Sequence, residues 1–257
     1  MHVALTGAAS GIGAATLARL NADGHRVTVF DIAEPAAAAD WIAVDLFDMA
    51  AISDAAARAN GPFDALINNA GLPPREGNAV EVLSVNVFGM IAMADALIPK
   101  MSPGGAIVST ASRAGSAWAE NIDQVTALLA LPGPEALAGF IAAHDIDPLR
   151  AYHLSKEAVI VWTVTQTAAL LERGLRANTV SPAAVETRIL EDFKAAMGDR
   201  ATRGIAMAGR ASSPEEIAEL IVFLAGPESS WIRGTDITID GGVSAMVAAE
   251  KLGFGPT

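Results

Sequence analysis

Apolar residues come in short runs, separated by segments in which they recur every three or four positions. HVALT (2–6), RVTVFD (26–31), WIAVDL (41–46), ALINNAG (65–71), AIVSTAS (106–112), RANTVSP (176–182) and DITIDGG (236–242) read as strands. AATLARLNADG (14–24) reads as a helix stopped at Gly24. Alternation of strand and helix at this interval predicts βαβ units. The expected fold is α/β, a doubly wound parallel sheet with helices on both faces. No Pro, Gly or Ser-rich linker divides the chain and no fixed-period repeat is visible, so residues 1–257 are expected to form a single domain.

Two stretches add detail. In SSPEEIAELIVFLAG, Ser213 as N-cap, Pro214 at N1 and Glu216 at N3 form a capping box. Residues 118–150 hold two short amphipathic patterns broken by Pro132-Gly133-Pro134. Val125, Leu128 and Leu129 share one face of the first, and Leu137, Phe140 and Ile141 one face of the second. This predicts an inserted helical hairpin with one apolar side.

Composition narrows the function classes. Net charge is −12 and the isoelectric point near 4.7, against a nucleic-acid or anionic-membrane surface. There are no cysteines, which excludes disulfides, thiolate metal sites and cysteine nucleophiles; no metal is expected. MHVALT carries no basic leader, and AVIVWTVTQTAALL is too short and polar to span a bilayer. The expected location is cytoplasmic.

The first strand runs straight into TGAASGIG (6–13). Gly7, Gly11 and Gly13 permit a tight turn and close ligand approach, and the N–H groups of the helix that follows can hold a pyrophosphate. Asp31 ends the second strand, 18 residues after Gly13. An acid there accepts from a ribose 2′-OH and repels a 2′-phosphate. Its neighbours Phe30, Ile32, Ala33 and Glu34 include no base, so NAD is favoured over NADP.

Tyr152 is the only tyrosine in the chain, and Lys156 is one of four lysines. On a helix this spacing puts them on one face. A phenol that exchanges protons near pH 7 to 8 must ionise more readily than usual, a difference of roughly 3 to 4 kcal/mol. A neighbouring ammonium supplies part of that. The strand AIVSTAS ends in hydroxyls suited to a substrate oxygen; on spacing alone Ser109, Thr110 and Ser112 all qualify.

Together these motifs resemble the short-chain dehydrogenase/reductase family along nearly the whole chain. TGAASGIG is similar to its cofactor loop and NNAG (68–71) to the motif supporting the adenine side. VNVFG (85–89) is similar to the segment with its active-site asparagine, STASRAG to its serine motif, YHLSK to Y-x-x-x-K, and RGTDITIDGG to its C-terminal strand. The resemblance implies a Rossmann-type fold and assigns catalysis to Asn86, Ser112, Tyr152 and Lys156. Tyr152 would pass the proton, and Lys156 would lower its pKa and hold the nicotinamide ribose. Ser112 would hold the substrate oxygen, and Asn86 would orient a water beside Lys156. It implies NAD contacts at Gly7, Ser10, Gly11, Ile12, Gly13, Asp31, Ile32, Asp45, Leu46, Asn69, Ala70, Gly71, Tyr152, Lys156, Pro182, Val185 and Thr187. SPAAVET (181–187) departs from the family pattern in having Ala183 for a glycine.

The short stretch from Gly71 to Asn86 and the long one from Ser112 to Tyr152 resemble the bacterial 3α-hydroxysteroid dehydrogenase/carbonyl reductase subgroup. This implies interconversion of a secondary alcohol and a ketone, with an apolar cyclic substrate such as a steroid. Residues 188–211 are expected to form a substrate lid, with Ile189, Leu190, Met207 and Trp118 lining the pocket. A homo-oligomer, dimer or tetramer, is expected; the 118–150 hairpin either alters its interface or packs on its own subunit. The alternatives are a 3-oxoacyl thioester reductase, against which Asp31 speaks, and a non-catalytic NAD-binding or lyase-like relative, against which the glycines, Ser112, Tyr152 and Lys156 speak.

Overall fold

The computed structural model describes residues 1–197 and 199–254, apart from the side chains of 194–201; Gly198 of the expected lid and residues 255–257 of the expected domain lie outside the described residues. Seven strands follow the order of the apolar runs: β1 (His2–Thr6), β2 (Arg26–Asp31), β3 (Asp40–Ala43), β4 (Phe63–Asn68), β5 (Met101–Thr110), β6 (Arg176–Pro182) and β7 (Asp236–Ile239). All are parallel, in the spatial order β3-β2-β1-β4-β5-β6-β7. The chain winds outward from β1 to β3, then returns to β4 on the other side. That reversal opens a crevice at the carboxyl ends of β1 and β4, where Thr6 pairs in register with Asn68.

Alternate residues serve opposite faces. Val3 and Leu5 of β1 join a cluster with Leu17 and Leu20 of α1 (Gly11–Ala22), whereas Ala4 joins the other cluster. That second cluster takes Ile52 of α2 (Met49–Arg58) and Met93 and Leu97 of the helical run Ala79–Lys100. The run comprises α3 (Ala79–Leu83), a π-helical turn (Ser84–Gly89), α4 (Met90–Leu97) and a 3₁₀ turn. It is long and apolar enough to cross a bilayer, yet two thirds of it is buried in the fold.

The expected hairpin is present as α5 (Ile122–Leu129) and α6 (Leu137–Ala143). Val125, Leu128, Leu137 and Phe140 pack with Tyr152, Leu154, Ala158 and Val161 of α7 (Pro148–Glu172). The hairpin therefore docks on its own chain. Helix α7 starts where Asp147 accepts from the Arg150 N–H at 2.6 Å and Pro148 follows the cap. After β6 come α8 (Leu190–Met197), α9 (Asp199–Ala208), α10 (Pro214–Ala225) and α11 (Val243–Lys251). Helix α10 carries the capping box of Ser213 and Glu216, and packs beside α1.

Some boundaries moved. Helix α1 begins at Gly11, three residues early, because the glycine loop itself turns into its first turn. Strand β4 ends at Asn68, because Asn69 and Ala70 leave the sheet to bond Thr6 and Gly7 at the start of the glycine loop. Strand β5 begins at Met101, ahead of the apolar run, through a register shift opposite Phe63 and Ala65.

Candidate active site

The glycine loop lies at the β1 end of the crevice. A Cβ on Gly13 would sit 1.8 Å from the Gly7 carbonyl oxygen and 2.5 Å from Asn69 Nδ2, so only glycine fits. Asn69 Nδ2 donates to that same Gly7 carbonyl at 2.8 Å, and Thr6 Oγ1 accepts from Asn69 N at 3.0 Å and Ala70 N at 3.1 Å. The NNAG segment thus braces the loop. Asp31, buried at the end of β2, accepts from Ala9 N at 2.8 Å and Ala33 N at 3.1 Å, one on each oxygen. Each oxygen keeps capacity for a further donor.

At the β5 end, the three hydroxyl candidates separate. Ser109 is buried in the sheet and accepts from Asn68 Nδ2 at 3.2 Å. Thr110 Oγ1 donates to Asn69 Oδ1 at 3.2 Å. Ser112 lies beyond the strand, caps a 3₁₀ turn (Arg113–Gly115) and hydrogen-bonds the Tyr152 phenol. Lys156 Nζ donates to the Thr110 carbonyl at 2.9 Å and lies 5.8 Å from the Tyr152 ring centre. Asn86 sits in the π-helical turn, a widening common at functional sites. Its Oδ1 accepts from Leu72 N at 2.7 Å, and its Nδ2 donates to Leu72 O at 3.1 Å and Ser155 Oγ at 3.2 Å. A Cβ on Gly71 would lie 3.1 Å from Asn86 Oδ1 and 3.7 Å from Lys156 Nζ, so these two side chains converge there.

The electrostatics of the unliganded site run against one expectation. Burial pushes the Tyr152 phenol up to about 12, and the Ser112 hydrogen bond only partly offsets this. Burial also pushes the Lys156 ammonium down, to about 8. The ammonium is turned to the Thr110 carbonyl and both groups are nearly dry, so desolvation outweighs their attraction.

These groups share one cleft of about 1270 Å³. Its walls include every residue expected to contact NAD except Gly13, which is buried against Gly7, together with Ser112. Asn86 is buried behind the wall. Ile189 and Leu190 line the cleft as expected; Met207 and Trp118 do not. Trp118 packs between the cores on either side of α7, because the 3₁₀ turn carries it away from the opening. Phe193 went unforeseen: it lines the cleft with its ring 5.0 Å from that of Tyr152. Its spacing from Ile189 and Leu190, four and three residues on, was the available signal. Ala183 is not in the left-handed region, where Asp145 is the sole non-glycine among the described residues, so alanine is accepted there without backbone strain.

Comparison with known proteins agrees with this geometry. Residues 1–123 match the family model described as short chain dehydrogenase, and residues 137–244 match that described as Enoyl-(Acyl carrier protein) reductase. The chain is 33% identical over 253 residues to a 3-alpha-hydroxysteroid dehydrogenase/carbonyl reductase of Comamonas testosteroni, covering 95% of this chain and 97% of the relative. The chain belongs to the short-chain dehydrogenase/reductase family. Another relative, 30% identical over 246 residues, is a coniferyl-alcohol dehydrogenase of Pseudomonas sp. strain HR199, with 95% of this chain and 96% of the relative covered. Among solved structures, a 3-alpha-hydroxysteroid dehydrogenase from Pseudomonas sp. B-0831 complexed with NADH superposes with a TM-score of 0.86 at 35% identity, over 97% of this chain and 99% of that one. As a short-chain dehydrogenase/reductase, the chain is an oxidoreductase with a Rossmann-type fold.

Proposed function

We propose that the chain is an NAD-linked dehydrogenase that interconverts a secondary alcohol and a ketone on an apolar cyclic substrate, a 3α-hydroxysteroid being the leading candidate. The observation that carries this reading is the convergence of Ser112, Tyr152 and Lys156 in the same cleft as the glycine loop and Asp31. The residues fit a dinucleotide. The loop presents a helix N-terminus to the pyrophosphate, Asp31 has acceptor capacity for a ribose hydroxyl, and Pro182, Val185 and Thr187 wall the far end. When bound, the nicotinamide supplies the hydride donor or acceptor and, when oxidised, a positive charge.

The chain's own groups handle the proton. Near pH 7 Tyr152 is a neutral phenol, the form that donates from Oη to a ketone oxygen held by Ser112 Oγ. In alcohol oxidation Tyr152 accepts that proton as phenolate, and Lys156 stabilises the charge. Asn86, converging with Lys156 on Gly71, holds a water that links Lys156 to solvent. Helices α8 and α9 form the lid, tied outside by Arg75–Asp192 at 2.9 Å and Arg203–Glu250 at 3.4 Å. The single domain closes around one substrate at a time. A homo-oligomer belongs to the same reading. It is supported by Trp231, 86% exposed shortly before the edge strand β7, and light scattering reads it.

Absorbance at 340 nm tests the proposal, with NAD and NADP separately and a panel of 3α-hydroxysteroids and simple cyclic alcohols. NAD reduction that is lost in Tyr152→Phe is the expected result. Binding of NAD without turnover of any alcohol would overturn the cyclic-alcohol substrate and send the search to other carbonyl and alcohol classes.

A further inference from the structure

Glu157 follows Lys156 in sequence, has 1% of its side chain exposed, and takes no part in the proton path. A buried carboxylate is costly unless paired and fully hydrogen-bonded. Here two separate parts of the chain meet that demand. Arg150, on the same helix α7, grips it with two bonds, Nη1 to Oε1 at 3.0 Å and Nη2 to Oε2 at 2.7 Å. Asn121, just before α5, donates from Nδ2 to Oε1 at 2.8 Å. Gln124, in the first turn of α5, accepts from Arg150 Nε at 2.9 Å. The hairpin is thus pinned to α7 by directional bonds as well as by its apolar face.

The same chain segment meets α7 at a second place. A Cβ on Gly115 would lie 2.8 Å from the Lys156 carbonyl and 2.9 Å from Ile160 Cδ1, so the turn after Ser112 rests directly on α7. From Ser112 the chain touches α7 at Gly115, is pinned at Asn121 and Gln124, runs through the hairpin, and then becomes α7.

We infer that Glu157 and Arg150, with Asn121 and Gln124, form a positioning clamp that fixes the serine-bearing segment against α7 and so holds Ser112 Oγ on the Tyr152 phenol. None of the four touches the reacting atoms. The consequence for turnover rests on the dehydrogenase reading, whereas the alignment itself is observable without a substrate.

Tyr152 is the only tyrosine, so in the full chain made with 3-fluorotyrosine all ¹⁹F resonance comes from this site. Ser112→Ala is expected to displace it. The double variant Asn121→Ala/Gln124→Ala leaves the buried Arg150–Glu157 pair in place and frees the hairpin. In that background Ser112→Ala is expected to displace the resonance by less than half as much, since the hydrogen bond is already misaligned. An equal displacement in both backgrounds, or none in the parent chain, overturns the clamp. With NAD and the best alcohol, the double variant is expected to lose about tenfold or more in kcat at an unchanged NAD dissociation constant. A lower melting temperature with kcat unchanged would reduce the clamp to a structural brace. Coupling in the ¹⁹F signal without turnover of any alcohol would sink the dehydrogenase reading and leave the clamp standing.

Discussion

At the β1 end of the cleft, position is set by backbone: Gly13 against the Gly7 carbonyl, Asn69 on the same oxygen, Asp31 on two amides. At the β5 end it is set by side chains that stand on helices: Tyr152 and Lys156 on α7, Phe193 on α8, and Ser112 on a turn that rests on α7. Backbone geometry tolerates few residue types and leaves short motifs with fixed spacing. Helix-borne geometry depends on how helices pack, which many sequences satisfy. The cofactor half is accordingly the more generic, and the substrate half the more particular to this chain.

The difference can be broken at either end. The largest effect is expected from Tyr152→Phe, which removes the proton donor. Turnover should fall about 10²- to 10⁴-fold while NAD binding, followed by calorimetry, stays intact. Parallel loss of both would mean that the two halves are one unit.

Next comes Lys156→Met, whose effect depends on pH. The folded-state pKa of Lys156 is depressed from 10.5 to about 8, so the fold carries the cost of a buried charge below pH 8. That cost fades as pH rises from 8 to 10.5, where the unfolded chain also loses the proton. The variant without ligand should therefore be more stable by about 1 to 3 kcal/mol at pH 7, with the gain vanishing near pH 10.5. Urea unfolding at both pH values measures it, and an equal gain at each would show that desolvation is not the cause.

Asp31→Asn should weaken discrimination between the two cofactors. The ratio of kcat/KM for NAD over NADP is expected to drop about tenfold, or 1.4 kcal/mol. An unchanged ratio would place the selectivity elsewhere in the cleft. The smallest effect is expected of Phe193→Ala. KM for ring substrates should rise by a few fold, in line with roughly 0.5 to 1.5 kcal/mol for an aromatic contact, with NAD binding unaffected. If small acyclic alcohols suffer equally, Phe193 supports the lid rather than the substrate.

The same contrast governs what the sequence disclosed. The glycine loop, Asp31, the order of the seven strands and the hairpin were legible, because chain sterics and hydrophobic periodicity dictate them locally. Ser112 was not separable from Ser109 and Thr110 by spacing, since the choice depends on where β5 stops bonding its neighbours and where Tyr152 lies across the cleft. The upward shift of the phenol was missed because charge proximity is visible in a Y-x-x-x-K spacing and burial is not. Phe193 and the Glu157 clamp depend on contacts between α7 and segments far from it in sequence. Trp118 and Met207 share the apolar character of Ile189 and Leu190, and only packing shows that they face elsewhere.

The buried amine of Lys156 also has a chemical consequence of its own. An amine that releases its proton near pH 8 is in large part unprotonated there, and so nucleophilic. A small acylating reagent able to enter the cleft should modify Lys156 at that pH, and an occupied cleft should shield it. Peptide mass mapping of that one modification would footprint occupancy, with no turnover required.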